Sequence, residues 1–299
     1  MGICPNCGSW VDDGDICMNC GGSDSYSYDH DDDFEEDKTR SNYSKRDKYS
    51  DKAWNCYMDY KDEDALHYIN LALDLDDKHS NNWNIKAIIL ESLKRYEESE
   101  KCYNRSLDLA KSNVVYDNKA RMLYDWSNQL LEESKELPNG LNKLKEANTI
   151  IIKAMNALSG DSDEGIDKYL EMRDEINFYI DYETRFQRNF KTLKEYDRSE
   201  LFTITGRKFY KNSIRLTPGT PLKLVKEPGN EFDKDAIAVY AQDEKIGYVA
   251  NNNHTKYELT STASELQDRI EDIAQGSYLV YLDRYAKIQF DIGRIEKYR

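Results

Sequence analysis

The spacing of apolar positions changes twice along the chain. Residues 1–47 show little periodic hydrophobicity. From about residue 49 to 158 apolar side chains recur at helical spacing with few breakers, and a second helical run follows. There Ile166, Tyr169, Leu170, Ile176, Tyr179, Ile180, Phe186, Phe190 and Leu193 keep a three-to-four spacing that predicts one long amphipathic helix over 163–197. Beyond residue 199 the period becomes two. Leu201–Ile204, Pro221–Val225, Ala236–Tyr240, Ile246–Val249, Tyr278–Leu282 and Lys287–Ile292 read as strands, separated by turn residues such as Thr217-Pro218-Gly219 and Glu227-Pro228-Gly229-Asn230. A helix is expected over 262–273, and short strands with a single helix predict a small barrel or curled sheet.

The middle region repeats itself. A shift of 34 residues aligns Ala53 with Ala87, Ile69 with Tyr103, and Ala72-Leu73-Asp74-Leu75 with Ser106-Leu107-Asp108-Leu109. A looser third copy, Ala147-x3-Ile151-x2-Ala154, implies an insertion around residues 132–140. Small residues at helix crossings on this period resemble tetratricopeptide repeats, in which each helix pair buries its face only against its neighbours. Cys56, Cys102, His67 and His79 lack ligand-spaced companions and read as packing residues.

Charge is partitioned unevenly. The 299 residues carry 57 acidic and 42 basic side chains, a formal charge of -15. Residues 1–37 alone hold 11 Asp/Glu and no Lys or Arg, whereas residues 199–299 hold 15 of each. The bulk acidity, which argues against a nucleic-acid coat protein, is therefore a property of one short segment. In the last third, residues 206–226 contain Arg207, Lys208, Lys211, Arg215, Lys223 and Lys226 and no acid.

Four of the six cysteines fall in two C-x2-C pairs, Cys4/Cys7 and Cys17/Cys20, each followed by glycine. This spacing suits a structural Zn2+ held by four thiolates, with no open coordination position, in a segment too short to build a core (residues 1–22). A hairpin tip is expected at Asp12-Asp13-Gly14. The segment resembles a short zinc ribbon. Residues 23–47, rich in Asp and Ser, read as an acidic disordered linker. No run of apolar residues is long enough for a membrane span, and no secretory signal is visible, so a cytoplasmic protein is expected.

One stretch carries a more specific likeness. Lys226-Glu227-Pro228-Gly229-Asn230-Glu231-Phe232-Asp233-Lys234-Asp235-Ala236-Ile237-Ala238-Val239, with Ile246-Gly247-Tyr248-Val249 after it and Gly206-x2-Phe209-Tyr210 before it, resembles the HIRAN domain. The resemblance implies a small barrel that holds the free 3′ end of single-stranded DNA. It implies stacking of bases on Phe209 and Phe232, phosphate contacts from Lys208 and Lys226 with Arg207 and Lys211 as weaker candidates, an acceptor for the terminal hydroxyl at Asp233, and Tyr210 and Asn230 within the nucleic-acid-binding set. The sequence departs from the family where Phe replaces the favoured Tyr at 209 and 232, where Glu231 replaces a common Pro, and where Ala250-Asn251-Asn252-Asn253 replaces a basic or Pro-containing continuation. The alternative is that the two phenylalanines fill the barrel core and Asp233 caps a turn.

The expected architecture is thus multidomain α+β: zinc ribbon (1–22), acidic linker (23–47), tetratricopeptide-like repeats (48–160), connecting helix (161–198) and HIRAN-like β domain (199–299). No nucleotide-binding loop or catalytic constellation is found. The expectation is a non-enzymatic DNA-end-binding protein of repair or fork processing whose repeats dock a protein partner. A pure protein-interaction adaptor with weak or lost DNA binding is the alternative.

Overall fold

The computed structural model describes residues 2–3, 10–11, 36–137, 139–158, 165–210, 214–284 and 288–296. They form two compact units, residues 1–179 and 180–299.

The first unit is helical: α1 (Glu36–Met58), α2 (Asp62–Leu75), α3 (Ser80–Ser92), α4 (Tyr96–Leu109), α5 (Asn113–Glu136), α6 (Leu141–Ala157) and the start of α7 (Asp167–Leu193). Consecutive helices pair as α1/α2, α3/α4 and α5/α6. The 34-residue period is reproduced in the backbone. Helices α2 and α4 begin and end 34 positions apart, and the turns before them place Tyr60 and Lys94 in the same left-handed conformation (φ 60° and 58°). The small–large–small positions are the contact surface: Ala65, Ile69 and Ala72, Ser99, Tyr103 and Ser106, and Ala147, Ile151 and Ala154 are all buried. Where the small residue is Ser, its hydroxyl donates to the backbone of the paired helix, Ser99 to the Ala87 carbonyl and Ser106 to the Ser80 carbonyl, each at 2.8 Å. Close approach thus replaces side-chain bulk with a hydrogen bond. The expected insertion lengthens both α5 and α6, which run to 24 and 17 residues against 13 and 14 for α3 and α4.

One expectation about the N-terminal region needs correction. The acidic linker does not reach residue 47, because α1 already starts at Glu36. Arg46, nearly buried, donates to Asp76 at 2.7 Å, and Ala53 is fully buried, so packing against the next helices carries the polar α1 sequence into a helix. Further upstream, β2 (Trp10–Val11) pairs antiparallel with β1 (Gly2–Ile3), Gly2 opposite Val11 and Ile3 opposite Trp10. The expected zinc ligands Cys4, Cys7, Cys17 and Cys20 lie outside the described residues, as do residues 12–14 and 23–35. Among the described residues no group of His, Cys, Asp and Glu could hold a metal ion.

The second unit is a closed antiparallel barrel of order β3-β6-β5-β4-β7-β8, with β8 pairing back onto β3. Its strands are β3 (Leu201–Thr205), β4 (Pro221–Lys226), β5 (Ile237–Ala241), β6 (Glu244–Val249), β7 (Ile273–Arg284) and β8 (Ile288–Ile295). Phe202, Ile204, Leu222, Leu224, Ile237, Val239, Ile246, Val249 and Tyr278 fill the interior. The expected helix over 262–273 is only α8 (Ala263–Gln267), opened by a capping box between Thr262 and Glu265. It stops early because Ile273 already pairs with Val225 as the first residue of β7. The domain boundary also shifts. Phe186 and Leu193 of α7 pack with Leu201, Tyr257, Val280, Leu282 and Ile292 in a second apolar cluster, so the barrel unit begins within α7 rather than at 199. Among the described residues no helix is long and apolar enough to cross a membrane.

Candidate nucleic-acid interface

Two turns present the residues of interest. The first leaves β3 at Gly206, whose left-handed conformation (φ 78°) suits glycine. A single 3-10 turn, Arg207–Phe209, follows. It is anchored by Arg207, which donates to Asp291 of β8 at 2.9 Å, and the other oxygen of that carboxylate accepts from the Tyr278 hydroxyl at 2.8 Å. The second turn joins β4 to β5. There the Asn230 side-chain oxygen accepts from the backbone N–H groups of Phe232 (3.0 Å) and Asp233 (3.2 Å), and Asp233 accepts from the Asp235 N–H at 2.9 Å. Two interlocked Asx turns thus build the loop from its own side chains.

These turns throw both phenylalanines outward. Phe209 is 76 % exposed and Phe232 is 97 % exposed, while the interior is filled by other residues. The core-filling alternative therefore fails for both rings. For Asp233 the turn-capping part of that alternative holds, but the other carboxylate oxygen faces the β6–α8 loop and accepts from the Asn251 side chain at 2.9 Å. Asn251 is held in turn, its own oxygen accepting from the Ser264 N–H at 2.9 Å. The carboxylate is fixed in place yet only half-buried, and oxygen lone pairs remain beyond the two bonds it accepts.

A polar network joins the turns. Tyr210, next to Phe209, lies with its ring 6.4 Å from that of Tyr248. The Tyr248 hydroxyl donates to Glu227 at 3.0 Å, and Lys245 donates to Glu227 at 2.7 Å and to the Tyr248 oxygen at 2.6 Å. Asn230 donates to Glu227 at 3.1 Å. Burial works against both charges of the Glu227–Lys245 pair, but the hydrogen bonds outweigh it. The carboxyl is held below its ordinary value and the ammonium above its own. Gly247, between these residues on β6, has no room for a side chain: a Cβ there would lie 2.4 Å from the Thr205 carbonyl oxygen where β6 meets β3.

The expected residues are thus sorted by what they are free to do. Lys208 is exposed and Lys226 half-exposed, and neither forms an ion pair among the described residues. Arg207 is committed to Asp291, and Lys223 pairs with Asp243 at 3.3 Å, so the acid-free stretch is not one open cationic strip. Lys211 lies outside the described residues. Asn230, expected to touch nucleic acid, uses both ends of its amide inside the turn and is a support. Sequence reasoning misses Glu227, Lys245, Tyr248 and Asn251 as site residues. Lys245 and Tyr248 flank Gly247 in the sequence, but only the barrel brings them, Glu227 and Asn251 to the two turns.

Residues 199–272 match the family model described as HIRAN domain. No curated protein matches the chain. Among solved structures, the chain is similar to the Yersinia enterocolitica type III secretion chaperone SycD in complex with a peptide of the translocator YopD. The identity is 16 %, covering 44 % of this chain and 92 % of that one, with a TM-score of 0.32. A second SycD structure, an alternative dimer, is similar at 16 % identity over 45 % of this chain and 93 % of the other, with a TM-score of 0.33. The two outward aromatic turns and strands β3 to β6 lie within the matched segment, β7 and β8 follow it, and residues 199–272 of this chain are a HIRAN domain.

Proposed function

We propose that the barrel binds single-stranded DNA at a free 3′ end, without catalysing a reaction on it, in repair or fork processing. The observation that carries this reading is the exposure of Phe209 and Phe232 beside a carboxylate immobilised by Asn251 and the Asp235 N–H. Exposed rings stack bases of any sequence, and Lys208 and Lys226 answer the phosphates. Asp233 accepts from the terminal hydroxyl and repels a phosphate in its place. The helical repeats dock a protein partner. Cys4, Cys7, Cys17 and Cys20 hold a structural Zn2+, and the pairing of β1 with β2, which bracket Cys4 and Cys7 in sequence, is in keeping with a metal knuckle there. A cytoplasmic setting, where thiols stay reduced, suits that metal site.

The test compares 3′-hydroxyl and 3′-phosphate single strands by fluorescence anisotropy at two salt concentrations. The hydroxyl end should bind tighter, both should weaken with salt, and Asp233→Ala should abolish the difference. Equal affinity for both ends in the unaltered protein overturns the hydroxyl contact. Absence of any binding at low salt, with a stable protein captured through the repeats, favours the adaptor reading instead.

A further inference from the structure

Tyr281 of β7 is a further large ring left 44 % exposed on the barrel. It lines a cleft with Asp283 and with Tyr182, Arg185, Phe186 and Asn189 of α7, all within the second unit. The cleft is built rather than incidental. The Asn189 side chain donates to the Tyr281 carbonyl at 2.9 Å, the Arg284 guanidinium lies 5.4 Å from the Phe186 ring centre, and Glu183, fully buried, accepts from Arg284 at 3.1 Å. One oxygen of Asp283 in the cleft wall has no hydrogen-bond partner among the described residues.

The register ties this cleft to the two-turn site. Tyr281 stands directly opposite Asp291 in the β7–β8 ladder, so their side chains leave the same face of the pair. Asp291 holds Arg207, the first residue of the turn that carries Phe209. On the other side Asp291 is opposite Ile204, and the next residue of β3, Thr205, is opposite Tyr248. Ile204 shares its face with Asp291 and Tyr281, whereas Thr205 and Tyr248 leave the opposite face, so the link from the cleft to the two-turn site runs through the Asp291–Arg207 ion pair. Burial, followed by the facing Asp283 and Asp291 carboxylates, pushes the Tyr281 phenol up, so the ring stays neutral at physiological pH.

We infer that the Tyr281 cleft is a second base-stacking subsite, which takes a nucleobase of the same single strand on the 5′ side of the end held at Asp233. The unpartnered Asp283 oxygen favours a base with an exocyclic amino group over thymine, and Arg185 at the cleft rim answers the adjoining phosphate. This subsite rests on the single-strand reading of the barrel and extends its footprint from the terminal nucleotides to a longer segment.

The experiment measures anisotropy of the full chain with 3′-hydroxyl dinucleotide, tetranucleotide and hexanucleotide probes of cytosine or thymine. Affinity should rise from the dinucleotide to the hexanucleotide, more for cytosine. Tyr281→Ala should weaken the hexanucleotide about tenfold and leave the dinucleotide unchanged, whereas Tyr281→Phe should retain most of the gain. Asp233→Ala should weaken every length. If all lengths bind alike and Tyr281→Ala changes none of them, the subsite is overturned while the end-binding reading stands. If no probe binds the unaltered protein, both fall together.

Discussion

At the scale of single residues, the site depends on side chains that point at other side chains. Asn251 is the clearest case. Its bond to Asp233 and its anchor on the Ser264 N–H set the direction of the carboxylate without touching a ligand. Asn251→Ala removes one hydrogen bond worth about 1 kcal/mol. Affinity for a 3′-hydroxyl strand should drop about fivefold, with 3′-phosphate binding unchanged or slightly improved. A merely structural role would lower both equally. Gly247→Ala belongs to another class: a Cβ against the Thr205 carbonyl must push β3 and β6 apart. It should destabilise the barrel by about 1–3 kcal/mol, measured as a lowered denaturation midpoint of its own transition.

Among elements, the helical hairpins owe their geometry to small residues, and a titrating group tests their burial. His79 precedes α3, with neither ring nitrogen in a well-formed hydrogen bond among the described residues. Burial first, then the positive charge of Arg46, hold its imidazole below the ordinary value against the pull of Asp76. The unfolded chain therefore takes up the proton before the folded one does as pH falls. Stability of the repeats should be full above about pH 7 and decline as pH drops through about 6.5 toward the folded value. Urea denaturation followed by helical circular dichroism at neutral and mildly acidic pH should show the decline, and His79→Gln should flatten it. Element boundaries are legible in the sequence wherever periodicity and packing agree, as in the small–large–small copies. They are misjudged where a neighbour decides: α1 extends through polar sequence because Arg46 finds Asp76, and α8 stops because Ile273 joins a ladder.

For the whole molecule, two units with separate cores predict two unfolding transitions. Because Phe186 and Leu193 cover Leu201, Tyr257 and Leu282, a fragment of residues 180–299 should melt several degrees above one of residues 199–299. Equal melting would mean that the α7 segment adds nothing to the barrel. At the N-terminus, one Zn2+ per chain should be found by native mass spectrometry, and Cys4→Ser or Cys20→Ser should abolish it.

The sequence by itself determined the order of helical repeats and β domain, the 34-residue copies, the HIRAN-like turns and the segregation of acidity into residues 1–37. These are local or periodic features, and local chemistry encodes them. It left open whether Phe209 and Phe232 point outward or fill the core, and it did not reveal that Arg207 and Lys223 are ion-paired or that Asn251 holds Asp233. Those facts depend on which strands become neighbours when the barrel closes, and pairing between residues tens of positions apart is set by the global packing of the core.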